Sequence, residues 1–354
     1  MSETARTPEQ ELASQLQSLE STYQSLQSDI MLVSVKDSIE DMQTKAIHLS
    51  QSVKSIRDKG YVFENDLEKR CNSLRKQWIS LKPSIQRELT QQVNTLAADV
   101  KRLDAQMLRT RSSSRNTQLG LKLVKETEAA VKGLEGKAEA ASSSVRGMYD
   151  SLENQISKLE SHLNQIDWGL NEAAESSFDW LALEGLVRAV KAEWVRGKKD
   201  KVEGVLYLTD QRLMYERKEE VATKKVLFIA TEKELVQQAE LEIAVKQVDK
   251  ASAKKEGFMK HEDHLYLDLA AGAPTDAVHF HIDGQDCEEW AHLIRRASEG
   301  ELDCQRITPI SDEEVDRLRN APTKCPSCGA TITAPILRGQ IEFSCDYCGA
   351  VSRF

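Results

Sequence analysis

Aromatic side chains make up only 5% of the 354 residues, and Pro (7) and Gly (16) are sparse. A chain this poor in bulky rings is ill suited to one large globular core. With 40% hydrophobic and 30% charged residues, its balance is that of long amphipathic helices diluted by polar faces. No apolar run approaches the roughly eighteen residues of a membrane-spanning helix. The opening MSETARTPEQELASQ has no apolar segment of the secretory kind, so a cytoplasmic chain is expected. Positive charge is not in excess either: 48 Lys and Arg against 57 Asp and Glu leave −9, the wrong sign for binding free nucleic acid with the whole molecule. Also missing are GxxxxGK[ST], a GxGxxG after a strand, HExxH and GxSxG. The expectation is therefore a protein that is not an enzyme, of two or three domains.

What is present comes in three blocks. After a disordered N-terminus over residues 1–8, residues 9–175 read as a coiled-coil, antiparallel helical bundle. Residues 9–172 contain six Gly and one Pro (Pro83). Apolar positions recur at alternating spacings of three and four: Leu12, Leu16, Leu19, Tyr23, Leu26, Ile30, Val33, then after a phase slip Ile39, Met42, Ala46, Leu49, Val53, Ile56. A second series runs from Phe63 through Trp78 to Met107, and a third from Leu134 to Leu170. Breaks are expected near Arg57-Asp58-Lys59-Gly60 and across Arg109–Gln118, which has no apolar side chain to bury. Three helices of roughly fifty residues, each about 75 Å long, result. The rival is one long parallel oligomeric rod with Gly60 inside a helix, and homo-oligomers through this region are compatible with either reading.

From Phe178 the period becomes two. Leu186–Trp194, Gly204–Thr209, Arg212–Glu216, His264–Leu269 and Ala277–Asp283 read as strands. In the last two, Leu265, Leu267 and Leu269, and Val278, Phe280 and Ile282, share one face. A helix from Asp286 carries Cys287, Trp290, Leu293, Ile294 and Ala297 inward. The charged stretch Thr231–Lys255 is expected to form a short inserted helix. The run GVLYLTDQRLMYE (Gly204–Glu216), the surrounding meander and the closing helix with Trp290 resemble the pleckstrin-homology-like (PH-like) superfold in its GRAM and bacterial PH-like branch. The resemblance covers about residues 180–300, within a domain expected over 178–300. It implies a partly open barrel plugged by the last helix. In lipid-binding members the first strand-to-strand loop grips headgroups, and here that loop carries Lys198, Lys199 and Lys201. The next strand continues Val202-Glu203-Gly204 instead of with further basic residues, and residues 176–300 hold 19 basic against 24 acidic side chains. Both favour a solvated loop.

Residues 301–322 read as a linker with a short helix starting at Ser311. Residues 323–354 carry two matching knuckles, Cys325-Pro326-Ser327-Cys328-Gly329 and Cys345-Asp346-Tyr347-Cys348-Gly349, with sixteen residues between Cys328 and Cys345. CxxC spacing lets both thiolates of a knuckle reach one ion, and each glycine permits the turn. Cytosolic thiols stay reduced, so metal binding by Cys325, Cys328, Cys345 and Cys348 is a better reading than disulfides; redox-active thiols and a rubredoxin-type iron site are the alternatives. Ala330–Ala334 and Gln340–Ser344 are expected to form a hairpin around Leu337-Arg338-Gly339. The segment resembles a zinc ribbon holding one structural zinc ion, with no open coordination position for chemistry.

The remaining candidates have ordinary readings. His261-Glu262-Asp263-His264 with His279 and His281 suits the polar face of a wet sheet, with a second metal site as the alternative. Cys71 and Cys287 fall on inward positions and act as small apolar groups. Taken together, the expected function is a scaffold or adaptor that binds protein partners, or a membrane surface peripherally, through the PH-like module. The alternative is a transcription-related, nucleic-acid-associated zinc-ribbon protein, although residues 321–354 carry only three basic against two acidic side chains.

Overall fold

The computed structural model describes residues 7–197, 200–226, 229–257 and 261–354. Two compact units result, one comprising the chain up to Ser50 with Lys69–Glu160, the other Gln51–Glu68 with Ser161–Phe354.

Five helices make the three arms of the N-terminal region: α1 (Pro8–Asp29), α2 (Val33–Asp58), α3 (Leu67–Ser112), α4 (Thr117–Gly147) and α5 (Asp150–Ala174). Thr7 and Gln10 form a reciprocal capping box ahead of Pro8, satisfying amides that a first turn leaves open. The first and third arms are each interrupted, so the expectation of three continuous helices is corrected. At Leu32 the backbone turns left-handed (φ 49°). The phase slip in the sequence is this break, because Val33 is 53% exposed and Val35 is fully buried in its stead. Between α4 and α5, Tyr149 fills the seam, packing edge-on against Trp78.

Pair numbering gives the arm directions. Glu20 meets Arg111, Gln43 meets Trp78 (3.0 Å) and Leu49 lies by Cys71, so numbers rise in the first arm as they fall in the second. Lys137 on Asp99 (2.6 Å) and Thr127 on Thr110 (2.8 Å) make the third arm antiparallel to the second, while Ser38–Tyr149 and Lys45–Glu160 run parallel with the first. The chain therefore folds back twice into a three-arm bundle. Gly60 (φ +94°) lies beyond the end of α2 and not inside a helix. The second break is narrower than Arg109–Gln118: α3 runs to Ser112 because Thr110 and Ser113 are buried. Hydroxyls bonded to Gln106 O and to Thr127 make Thr110 a usable core residue.

In the second unit, β1 (Leu186–Gly197), β2 (Asp200–Thr209), β3 (Arg212–Val226), β4 (Ile229–Ala244), β5 (Val248–Glu256), β6 (Glu262–Leu269) and β7 (Ala277–Ile282) form one antiparallel sheet. Its order is β4-β3-β2-β1-β7-β6-β5. Among the described residues β1 bridges the two halves, pairing with β2 along its length and with β7 at Ala192–Trp194. β4 and β5 remain edges, and α6 (Cys287–Ser298), capped by Asp286, lays Cys287, Trp290 and Ile294 on the core. This is the PH-like arrangement: a bent, open antiparallel sheet closed by a C-terminal helix. The other face of β2 is covered too, since Phe178 and Trp180 both pack edge-on against Tyr207.

Thr231–Lys255 is not helical. It forms most of β4, a single turn at Val245–Gln247, and most of β5. Leu241 and Ile243 alternate inward while Glu242 between them stays half-exposed, which an edge strand with one partner allows. A short helix α7 (Asp312–Arg319) is capped by Ser311 as expected. The terminal hairpin is corrected as well. β8 (Glu342–Ser344) pairs with β9 (Val351–Arg353), and Lys324 bridges Thr331, so each knuckle closes on its own flanks instead of 330–334 pairing with 340–344.

Candidate metal centre

Each knuckle turns through a left-handed glycine, Gly329 (φ +76°) and Gly349 (φ +71°). The turns are closed by Gly329 N to Cys325 O and Gly349 N to Cys345 O, both 2.8 Å. Cys325 N to Ala330 O and Cys345 N to Ala350 O complete two near-identical loops. Phe343 seals the space between Cys325 and Cys345, with Ala330, Ile332, Ile336 and Phe354 against it. That is too little apolar surface to hold some thirty residues together without a crosslink.

The four sulfurs lie within 4.8 Å of one another. Cys325 Sγ to Cys348 Sγ is 3.8 Å and Cys328 Sγ to Cys345 Sγ 3.7 Å, against about 3.8 Å for a tetrahedron with metal–sulfur bonds near 2.3 Å. Disulfide sulfurs would be about 2 Å apart. The amide of Cys328, then that of Ser327, pulls the Cys325 thiol down to about 6 against the effect of burial. Cys328 moves the other way, up to about 12: the Ala330 amide favours its thiolate, but hydrogen bonding to Cys348 and burial outweigh it. Adjacent thiolates repel one another, and a divalent cation between them would offset that repulsion. The donor set fits a metal ion and leaves no ligand position for a substrate.

The stretch between the knuckles, unpaired with the hairpin it was expected to form, instead docks on the PH-like sheet. Arg338 places Nη1 2.7 Å from both oxygens of Asp303 and Nη2 against Asp210 Oδ2. Gln211 bonds the Arg338 backbone at both its N–H and its carbonyl. Gly339 (φ +77°) comes so close that a Cβ would sit 3.0 Å from Ala182 N. Its amide donates to Glu314 Oε1 (2.9 Å), and Glu314 is gripped by Arg317. Asp210, 1% exposed at its side chain, also accepts from Arg306 Nη1 (2.6 Å) and Gly185 N (3.0 Å). Burial pushes its carboxyl up, opposed by Arg338, the Gly185 amide and Arg306.

These partners were not singled out in the sequence. Thr209-Asp210-Gln211-Arg212 was read only as part of a fold resemblance, yet every one of its polar side chains is committed. Thr209 Oγ1 accepts from the Gln211 and Arg212 amides, and Arg212 is buried on Glu184 and Glu242. A polar quartet ending an otherwise apolar strand was the available signal. In the proposed lipid loop, Lys198 and Lys199 lie outside the described residues. Lys201 is paired with Glu193 (2.8 Å), which also faces His281. Cys71 and Cys287 are buried and apart from the cluster, and Cys304 is exposed.

No protein family matches the chain, and no curated protein matches it. Solved structures with similarity include the DH/PH domains of p115-RhoGEF, 12% identical over 84% of this chain and 95% of that one, with a TM-score of 0.22. Human RhoA in complex with the DH/PH fragment of PDZ-RhoGEF is 11% identical over 83% and 96%, with a TM-score of 0.22. At these scores the likeness lends no weight, and the fold rests on the strand order above. Among the described residues, no helix is long and apolar enough to cross a membrane.

Proposed function

We propose that the chain is a non-enzymatic cytoplasmic scaffold or adaptor, in which a helical bundle (residues 9–175) presents a PH-like module (178–300) and, after a linker (301–322), a zinc ribbon (323–354) to protein partners. Cys325, Cys328, Cys345 and Cys348 hold one structural zinc ion; zinc, when bound, supplies the crosslink that the small core lacks. The observation that carries the reading is the docking of Arg338 and Gly339 on Asp210, Asp303 and Glu314. It joins the PH-like sheet and the cysteine tail into one surface. Protein partners are favoured over a membrane because Lys201 is neutralised by Glu193 and the module is net acidic. Self-association through the helical region remains compatible with this role.

The test is flotation of the full zinc-loaded chain with phosphatidylserine-containing liposomes at low salt, beside elemental analysis. One zinc per chain and no flotation support a protein-binding scaffold. Firm flotation that survives moderate salt moves the reading to peripheral membrane attachment. A chain free of zinc whose tail keeps its order sinks the ribbon.

A further inference from the structure

Outside the cysteine centre, a set of metal-ligating side chains stands together on one face of β6 and β7. His264 is directly opposite His281 in the antiparallel ladder, and Tyr266 is opposite His279. Period two therefore puts all four on one face, with Leu265, Leu267, Val278 and Phe280 buried on the other. The His264 ring lies 5.0 Å from those of both His279 and His281, and Tyr266 stacks on His279 at 4.0 Å. His264 is 6% exposed, whereas His279 and His281 are half-buried and reachable from solvent.

We propose that His264, His279 and His281 form a second transition-metal site, for a borderline divalent cation of the Zn²⁺, Ni²⁺, Cu²⁺ or Co²⁺ class. His264 Nδ1 and His279 Nε2 meet head-on at 2.9 Å. Without an ion, one of the two must donate a proton to the other. A tetrahedral ion with metal–nitrogen bonds of about 2.0–2.1 Å holds its nitrogens roughly 3.3–3.4 Å apart. Replacing the shared proton by a cation therefore needs an opening of only about 0.4 Å by the same estimate.

The outer atoms fit as well. Glu262 Oε2 is 3.3 Å from His264 Nε2, which leaves Nδ1 for the ion, and Glu193 Oε2 is 3.2 Å from His281 Nδ1, which leaves Nε2. A carboxylate on the far nitrogen is the usual orienting partner of a metal-bound imidazole. Among the described residues, the cysteines are the set whose ligand atoms all fall within 4.8 Å, so binding requires the three histidine rings to draw closer together. Lys201 and Lys254 are the nearby cations, and they are paired with Glu193 and Glu256. Imidazole ligands with a solvent-facing position suit the borderline metals, in contrast to the closed sulfur centre.

The test titrates Ni²⁺ into the full chain with its cysteine centre already zinc-loaded, following binding by calorimetry and by metal analysis after dialysis. One further equivalent is expected. His279→Gln and His281→Gln should each weaken it by roughly tenfold or more, with the far-ultraviolet spectrum and melting curve unchanged. His292→Ala on α6 should leave it intact. Absence of a second equivalent overturns the proposal, as does a second equivalent that persists in the His279→Gln/His281→Gln double variant. Because the zinc-loaded sulfur centre is counted separately, neither result bears on the ribbon.

Discussion

Asp210→Ala tests whether the tail is fastened to the sheet by a buried charge cluster. The substitution removes the acceptor of Arg306 Nη1 (2.6 Å), of Arg338 and of Gly185 N (3.0 Å) at a site 1% exposed. Arg338 keeps Asp303, which is 41% exposed, but Arg306, 7% exposed, keeps only a 3.4 Å bond to Leu183 O and the face of Phe63. A buried cation left without its partner costs about 3–5 kcal/mol, and that is the loss expected in the unfolding of the second unit. Arg338→Ala should cost less, about 1–3 kcal/mol, since Asp210 retains Arg306 and the Gly185 amide and Asp303 turns to water. The two should be non-additive. Urea unfolding followed by tryptophan fluorescence gives the energies, and hydrogen exchange at Gly339 reports release of the tail. A loss below about 1 kcal/mol for Asp210→Ala, or a larger loss for Arg338→Ala, would refute the reasoning.

Further outcomes follow from single contacts. Gly339→Ala combines a left-handed backbone with a Cβ 3.0 Å from Ala182 N, and should loosen the tail by about 1–2 kcal/mol, read from the same exchange experiment. Cys345→Ser should lower zinc content to near zero and make residues 323–354 protease-sensitive while the melting of the bundle's larger part stays put, because residues up to Ser50 and Lys69–Glu160 belong to the other unit. Thr110→Val leaves Thr127 Oγ1 its bond to Leu123 O, so thermal melts should show only about 0.5–1.5 kcal/mol of loss. Asp286 is held below the usual carboxylate range by Lys255, with burial opposing and the Glu289 and Glu288 amides assisting. A depressed folded value means that its stabilisation is present above the unfolded value near 3.8 and is lost as pH falls through the folded one. Asp286→Ala should therefore cost about 1 kcal/mol at pH 7 and progressively less below pH 4, checked by urea titrations across that range.

Helical arms, most period-two strands and the four clustered cysteines were legible because each is a local spacing. A heptad seam or a CxxC knuckle carries its geometry within a few residues, and no distant partner is needed to recognise it. Leu265 and Phe280 could be turned inward from alternation alone, and both are fully buried. Thr231–Lys255 was misread because charge favours neither strand nor helix when one edge faces water. What decided it was the ladder with β3, from Arg212 opposite Ala244 outward. The breaks at Leu32 and Tyr149 were likewise settled by which side chain fits the seam.

The sequence by itself determined the four-cysteine set, the order of helical, sheet and cysteine segments, and the face that β6 and β7 bury. Only the tertiary structure decided that Arg338 ends on Asp210 and Asp303, and that His264 faces His281 and meets His279. Those pairings join positions 128, 35 and 15 apart for Arg338–Asp210, Arg338–Asp303 and His264–His279. Contact across such separations is fixed by strand register and loop docking, which no periodicity of neighbouring residues encodes.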